Sequence, residues 1–169
     1  MNKYLLIIVL LLTQVSCIGY YKLSNNQGGE PILNKRVNYK FIYIPKGKDL
    51  IKIDTSAYYV QKFEGRYYNE GEKQNPQVLL FHNDGFFKST FVKHLLEAKN
   101  RKKNSVYYGG KYRISNNSVE LEQFYPMHGG KTKYYSRNIT KGVLKENKII
   151  FDDGQSLMKV FEKRNRQKP

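Results

Sequence analysis

The chain of 169 residues has a single cysteine and no tryptophan. One cysteine cannot form an internal disulfide, so the small secreted folds that depend on a disulfide framework are excluded. The three histidines, His82, His94 and His128, form no H-x-x-H or H-E-x-x-H pattern, and no G-x-S-x-G motif occurs. The spacings that bind zinc or present a nucleophilic serine are therefore missing. We expect a protein that is not an enzyme and that uses no cofactor.

Acidic residues are scarce, since 14 Asp and Glu stand against 30 Lys and Arg, for a net charge of +16. A basic surface favours acidic partners such as anionic lipid head groups, polyanionic glycans, nucleic acid or an acidic protein. AT-rich codons would produce the same excess of Lys, Asn, Ile and Tyr, so charge alone identifies no partner. The densest basic cluster predicts either a contact with phosphate groups or a solvated loop, and it comprises Lys99, Arg101, Lys102 and Lys103.

Long apolar runs are also missing. The run LLIIVLLL covers residues 5–12, which is shorter than the roughly 20 residues that a membrane-spanning helix needs. Lys3 precedes it and small residues follow, which is the layout of a secretory signal peptide. We expect residues 1–16 to be removed and the mature chain to be exported. Nucleic acid is not an expected partner of an exported chain.

The end of this leader carries the only cysteine. Val15, Ser16 and Cys17 resemble the lipobox of bacterial lipoproteins, in which small residues precede an invariant cysteine. The resemblance implies that diacylglycerol is attached to Cys17, that the chain is cut before it, and that the new amine is acylated, for example with palmitate. It also implies localisation on a membrane of the cell envelope, the outer membrane in a Gram-negative cell. An ordinary signal peptide or a buried cysteine are the alternatives.

The mature chain divides into three segments. Residues 17–36 are predicted to be a flexible tether, because Ser24 to Pro31 is polar and shows no period of 2 or 3.6. Residues 37–165 are predicted to form an antiparallel β domain, since apolar residues alternate with polar ones. Residues 166–169 form a basic tail. The oligomeric state is not predicted.

One β-hairpin can be assigned with its register. We place Asn116 and Asn117 in a two-residue loop, where Asn tolerates the positive φ of a type I′ turn. Apolar residues then face apolar ones and bases face acids, in the pairs Ser115–Ser118, Ile114–Val119, Arg113–Glu120, Tyr112–Leu121 and Lys111–Glu122. A slip of one residue would destroy both sets of pairs.

Further hairpins are predicted at residues 83–85, 146–147 and 153–154. The last of these would pair Ile150 with Leu157 and Ile149 with Met158. Two more strands are predicted at residues 39–44 and 57–63, while residues 91–103 fit either a short helix or a strand that ends in a basic loop. About eight short strands result, which favours an all-β meander forming a small barrel, a half-open barrel or a sandwich.

The order of these segments resembles small lipocalin-like lipoproteins of Gram-negative bacteria over roughly residues 57–163. Tyr67 of Gly65-Arg66-Tyr67 stands where lipocalins carry the tryptophan of Gly-x-Trp. The resemblance implies a barrel that holds a small apolar ligand or is filled by its own side chains. If a cavity exists, its expected lining is Tyr67, Phe81, Phe87, Tyr112, Ile114, Leu121 and Phe151.

Two functions remain after these steps. The first is non-catalytic binding of a small apolar ligand or a partner protein in the cell envelope. The second is a structural or interaction role in which a basic surface docks an acidic polymer, lipid head group or protein. A lined cavity of roughly 300 Å³ or more would favour the first, and a filled interior beside a positive surface would favour the second.

Overall fold

The computed structural model describes residues 20–25, 29–33, 39–64, 68–127, 134–152, 154 and 158–165. The predicted signal peptide, Cys17, Tyr67 and the basic tail lie outside these residues.

Antiparallel strands dominate the described residues. The strands are β1 (Tyr20–Lys22), β2 (Ser24–Asn25), β3 (Pro31–Ile32), β4 (Ala57–Lys62), β5 (Gln77–Phe81), β6 (Phe86–Phe91), β7 (Gly109–Ser115), β8 (Ser118–Pro126), β9 (Tyr134–Lys145), β10 (Lys148–Phe151) and β11 (Lys159–Asn165). Two short helices, α1 (Lys48–Lys52) and α2 (Glu70–Gln74), and two 3-10 turns, Val92–His94 and Glu97–Asn100, lie between them.

Strands β4 to β11 close into an eight-stranded barrel. Each pairs with its neighbours in the chain, and β11 pairs with β4, so that the sheet returns to its start. Strand β1 is an additional strand on the edge of β9, where Tyr20 lies opposite Ser136. Closure pairs the strand edges that an open sheet would leave exposed. The predicted all-β antiparallel fold of about eight strands is therefore confirmed, in its closed-barrel form.

The hairpin between β7 and β8 has the predicted register. All five predicted pairs occur, from Ser115–Ser118 to Lys111–Glu122. Of the two loop residues, only Asn116 has a positive φ, of +52°, so the predicted two-residue loop forms but not the type I′ turn, which needs a positive φ at both residues. The turn at Glu146 and Asn147 is confirmed as well, since Lys145 pairs with Lys148 and Glu146 has a φ of +50°.

The register predicted across residues 153–154 is wrong. Ile149 pairs with Phe161 and Ile150 with Val160, so the connection between β10 and β11 runs from residue 152 to residue 158. The observed register places Phe161 on the same inner face as Ile149, where both are buried. The burial of this aromatic ring favours the longer connection over a tight turn at Asp153 and Gly154.

The two ends of the barrel differ. Three tight turns, at residues 82–85, 116–117 and 146–147, lie at one end, which we call the closed end. The last residue of α1 and the residue after it close this end, because Lys52 Nζ donates to the carbonyl of Asn116 at 2.6 Å and Ile53 is fully buried in the barrel core. At the opposite end, which we call the mouth, the connections are longer, at residues 63–76, 92–108 and 152–158.

A second apolar cluster lies outside the barrel and corrects the predicted tether. Leu23 and Leu33 are buried in it together with Tyr39, Phe86 and Phe124. Residues 20–25 and 29–33 are thus packed against the domain, because β1 pairs with β9 and these leucines lose water contact. The prediction of a flexible segment is wrong for these residues.

Residues 39–44 form no strand, although their alternation predicted one. The backbone N–H groups of Lys40 and Phe41 donate to the carboxylate of Glu122, each at 2.8 Å, and so are bonded by a side chain. Between residues 91 and 103, the open choice between helix and strand resolves into the two 3-10 turns. The strand at 57–63 is confirmed as β4.

Candidate functional site

The predicted lining residues fill the inside of the barrel near its closed end. Phe81, Phe87, Tyr112, Ile114, Leu121 and Phe151 belong to one buried cluster. The rings of Phe81 and Tyr112 pack edge to face with centroids 4.9 Å apart, and the Tyr112 hydroxyl donates to the carbonyl of His82 at 2.8 Å. Burial raises the pKa of this phenol. These contacts leave the closed half of the barrel packed with the protein's own side chains.

The mouth half of the same inner face is polar. Side chains two residues apart on a strand point to the same face, as do residues opposite each other in the ladders. Leu79 and Phe81 therefore place Gln77 inside, and Leu121 places Gln123 inside. The same registers turn further polar side chains inward at this end, namely Gln61, Ser89, Asn138, Thr140 and Lys159. The side chains that line the barrel interior therefore change from apolar at the closed end to polar at the mouth.

A cavity of about 90 Å³ lies at this change. Its floor is apolar, formed by Leu79, Leu121, Phe151 and Phe161, and its walls are Gln77, Gln123, Tyr125, Thr140 and Lys159. A cleft of about 440 Å³ lies beside it and shares Tyr125, Thr140, Phe151 and Lys159. Of the predicted lining residues, Leu121 and Phe151 border the cavity, and the other described ones belong to the packed core.

Hydrogen bonds hold part of this polar wall in place. Gln77 Nε2 donates to Ser89 Oγ at 2.8 Å, and the Gln77 N–H donates to Gln61 Oε1 at 3.2 Å. The Tyr125 hydroxyl donates to Gln123 Oε1 at 2.9 Å, which leaves the Gln123 amide nitrogen as a donor. The mouth is thus lined by amide and hydroxyl groups of fixed position above an apolar floor.

Two lysines on β11 point inward and have different partners. Lys163, near the closed end, contacts Asp54 at 2.8 Å, and this contact together with Ser56 holds the pKa of Asp54 at about 2. Lys159 lies four residues earlier, at the mouth, and is partly buried. Among the described residues, none forms an ion pair or hydrogen bond with it. Within the described part of the chain, the Lys159 ammonium beside the cavity is therefore a cation without a counter-ion.

The closed end carries a different surface on its outside. Residues 40–52 expose Ile42, Ile44 and Ile51 to 77%, 51% and 86%. Lysines 40, 46, 48 and 52 are exposed in the same segment, which contains one acid, Asp49. We call the exposed side chains of residues 40–52 the closed-end surface.

This surface is fixed to the barrel by a buried carboxylate. Glu122 has no solvent exposure, accepts the two N–H groups of residues 40 and 41, and lies 2.9 Å from Arg137 Nε. The Arg137 guanidinium in turn lies over the ring of Tyr21, 4.7 Å from its centroid. Further along, the Tyr43 hydroxyl donates to Asp49. The exposed isoleucines are therefore held on an ordered segment.

The predicted basic cluster is partly used inside the fold. Arg101 contacts Glu30 at 3.3 Å and donates to the carbonyl of Tyr107 at 2.9 Å, while Lys103 pairs with Asp84. Lys102 is exposed, and the side chain of Lys99 lies outside the described part of the chain. Two of the four bases thus stabilise the connection between β6 and β7 and do not form a free patch.

Sequence reasoning missed both the polar mouth and the closed-end surface. The mouth could have been found by continuing the confirmed register, since Gln123 lies two residues beyond Leu121 on one face. The closed-end surface was not predicted, because the alternation at residues 39–44 indicates a strand. Within the described ranges, no group of three or more His, Cys, Asp and Glu side chains could hold a metal ion. Nor does any helix of these ranges have the length and apolarity to cross a membrane.

Comparison with protein-family models, with curated proteins and with solved structures finds no match for this chain.

Proposed function

We propose that this chain is an exported, lipid-anchored protein of the cell envelope that binds a small carboxylate-bearing molecule at the barrel mouth, without catalysis. The observation that carries the ligand proposal is Lys159, which is partly buried beside the cavity and has no ion-pair or hydrogen-bond partner among the described residues, whereas Lys163 on the same strand has Asp54. An ion that loses water without gaining a partner is unfavourable, and a bound anion would offset that cost.

The dimensions of the mouth limit the ligand. A cavity of about 90 Å³ is too small for a long apolar molecule, since small-molecule sites usually measure about 300–1,000 Å³. The adjoining cleft of about 440 Å³ reaches that range. A ligand that uses both would place a short apolar part on Leu121 and Phe151 and its polar part against Lys159 and Thr140. The geometry thus favours a small amphipathic ligand over the small apolar ligand that the sequence suggested as one alternative.

The anchor proposal rests on the lipobox-like stretch before Cys17. A single acyl chain holds a protein only marginally at a membrane, whereas two or more hold it durably. Cys17→Ala should abolish labelling by radioactive palmitate and leave the precursor uncleaved, while Ser16→Ala, which keeps a small residue before the cysteine, should be labelled like the wild type. Labelling that persists in Cys17→Ala would overturn the anchor.

Ligand binding can be tested with hexanoate and its neutral analogue hexanamide, which differ in charge and little in shape. On the processed protein in nanodiscs, hexanoate should shift the NMR signals of Thr140 and the Gln123 side chain. Hexanamide should bind about tenfold more weakly, which corresponds to about 1.4 kcal/mol. Lys159→Met should weaken hexanoate binding by a similar factor.

The matched control is Lys145→Met, which removes the same charge from an exposed position at the closed end of β9. Its affinity for hexanoate should lie within a factor of about two of the wild-type affinity, a difference of only about 0.4 kcal/mol. Equal binding of hexanoate and hexanamide, or equal loss in the two lysine variants, would contradict a specific contact at Lys159.

A further inference from the structure

The closed-end surface combines exposed apolar side chains with an excess of positive charge. Ile42 and Ile51 are 77% and 86% exposed, and residues 40–52 contain four lysines and one acid, Asp49. Apolar side chains that stand among lysines are typical of segments that lie in the interface of an anionic membrane. The lysine stems can lie along the apolar region while their ammonium groups reach the lipid phosphates.

This surface is held on the barrel along its whole length. Hydrogen bonds through Glu122 and Lys52 fix its two ends. Between these ends the carbonyl of Tyr43 lies against Gly85, where a Cβ would approach that oxygen to 2.7 Å. The segment therefore rests on the turn at residues 82–85, and little conformational freedom would be lost when the surface binds a second body.

The direction of β1 brings the start of the domain toward the same end. Strand β9 runs from the mouth to the closed end, and β1 is antiparallel to it, with Tyr20 opposite Ser136. Strand β1 therefore runs toward the mouth, and Tyr20 is its residue nearest the closed end. Three residues extend at most about 11 Å, so an anchor at Cys17 would lie within that distance of Tyr20.

Two side chains connect β1 to the closed-end surface. The Arg137 guanidinium lies over the ring of Tyr21, 4.7 Å from its centroid, and Arg137 Nε lies 2.9 Å from the Glu122 carboxylate. The same carboxylate accepts the N–H groups of residues 40 and 41, where the surface begins. The chain start and the surface are thus neighbours, so the anchor and the exposed isoleucines can reach one membrane at the same time.

We infer that the closed-end surface docks on the anionic phospholipid membrane that holds the anchor, an inference that rests on the lipid anchor proposed above. The three exposed isoleucines would enter the interface between head groups and acyl chains, and the lysines of residues 40–52 would face the lipid phosphates. The barrel would then stand with its mouth away from the bilayer, open to the aqueous side of the envelope.

The extent of the surface favours a membrane over a partner protein. A stable protein interface uses about 20–30 residues on each side, whereas this surface consists of the exposed part of one segment, residues 40–52. A tethered domain needs fewer contacts with its membrane, because the anchor already holds it near the bilayer. A second copy of this chain is unfavourable, because two basic surfaces of this kind repel each other.

The chain has no tryptophan, so one introduced tryptophan reports on its own position. We would compare Ile51→Trp with a matched control beside the mouth, Leu96→Trp, since the two positions are 86% and 73% exposed. Each processed protein is placed in nanodiscs of phosphatidylcholine and phosphatidylglycerol, with or without bromine on the acyl chains. Brominated lipid should quench tryptophan 51 and shift its emission to shorter wavelength, and it should leave tryptophan 96 unchanged.

Charge reversal tests the contribution of the lysines. In the Ile51→Trp protein, Lys46→Glu with Lys48→Glu should lower the ratio of quenched to unquenched molecules by at least about fivefold, a change of about 1 kcal/mol. Nanodiscs of phosphatidylcholine alone should lower the ratio in the same way.

The control Lys73→Glu with Lys93→Glu changes the net charge equally, at exposed positions in the connections of the mouth. The ratio should stay within about a factor of two, or about 0.4 kcal/mol, because these positions would lie farther from the bilayer than the Debye length of about 10 Å at 0.1 M salt. Circular dichroism of each variant checks that the barrel is folded.

The other occupants give different results. A partner protein predicts no quenching at position 51 in these nanodiscs, and a second copy predicts a shift of emission without quenching. Either result would overturn the membrane inference, as would equal quenching at positions 51 and 96 or equal effects of the two charge reversals.

Failure of the anchor is read separately, from palmitate labelling. A labelled protein whose tryptophan 51 is not quenched would remove the docking surface and keep the anchor. Quenching at position 51 that depends on anionic lipid, measured with vesicles added to an unlabelled protein, would keep the docking surface and remove only the anchor.

Discussion

The two halves of the barrel interior are built on the same strands and yet differ in the polarity of their side chains. On β5, Phe81 is buried at the closed end and Gln77 lines the mouth, and on β8 Leu121 is followed on the same face by Gln123. Large apolar side chains contribute burial energy, whereas amides and hydroxyls contribute position and specificity. One half can therefore stabilise the fold, while the other is the half at which we propose that a ligand binds.

The same division appears in the charged residues. At the closed end Lys163 is paired with Asp54, and at the mouth Lys159 has no ion-pair partner among the described residues. A paired lysine contributes to stability, while an unpaired one beside a cavity contributes little until an anion arrives. The comparison predicts that substitutions at the closed end act on stability and that those at the mouth act on binding.

The largest effect is expected from the core of the closed half. Phe81→Ala should lower the free energy of unfolding by about 3–5 kcal/mol, because it removes a fully buried ring and leaves a cavity. Gln77→Ala, on the same strand and face, should cost about 1 kcal/mol for its lost hydrogen bond to Ser89. Urea denaturation measures both, and equal losses would contradict a division between the halves.

A smaller effect is expected in acid from the pair at the closed end. Asp54 has a pKa of about 2, below its ordinary value of 3.8, chiefly because it bonds Lys163. A lowered pKa contributes stability above pH 4 that is lost as the pH falls from about 4 to about 2. The loss should be about 1 kcal/mol, because the pair is partly exposed.

The variant Asp54→Asn should be less stable than the wild type above pH 4 and should lose less stability between pH 4 and pH 2. Lys159→Met is the matched control and should keep the acid dependence of the wild type. Denaturation midpoints measured across this pH range compare the three proteins. A wild-type acid profile in Asp54→Asn would mean that the pair contributes nothing.

Short-range features of the fold were predictable from the sequence. The hairpin of β7 and β8 was found because its turn, its apolar pairs and its ion pairs all indicate one register. The connection between β10 and β11 was not found, because Asp153-Gly154 has the chemistry of a tight turn while the burial of Phe161 decides the pairing. The burial of Phe161 therefore determines the pairing of these strands, against the local sequence signal for a tight turn.

Features that depend on contacts between distant segments were not predictable. The bonds from Glu122 to residues 40 and 41 span about 80 positions and replace the strand that the local pattern indicates. Leu23 and Leu33 flank the polar run of residues 24–31 in the sequence, and packing against the outer face of the barrel makes them core residues. The polar mouth could have been predicted, because the confirmed register places the Gln123 side chain inside the barrel.

The smallest expected effect concerns the exposed pair Arg113 and Glu120, which lie opposite each other on β7 and β8 and form an ion pair. Arg113→Glu should weaken the hairpin by placing like charges together. In a double-mutant cycle with Glu120→Arg, the coupling energy should be about 0.2–1 kcal/mol, the usual range of cross-strand pairs. Recovery in the swapped variant should be partial, because the Arg113 guanidinium also lies 4.6 Å from the centroid of the Phe41 ring. Arg113→Gln with Glu120→Gln removes both charges and should lie between the reversed and the wild-type protein. No coupling in thermal unfolding would mean that the turn and the apolar pairs alone determine this register.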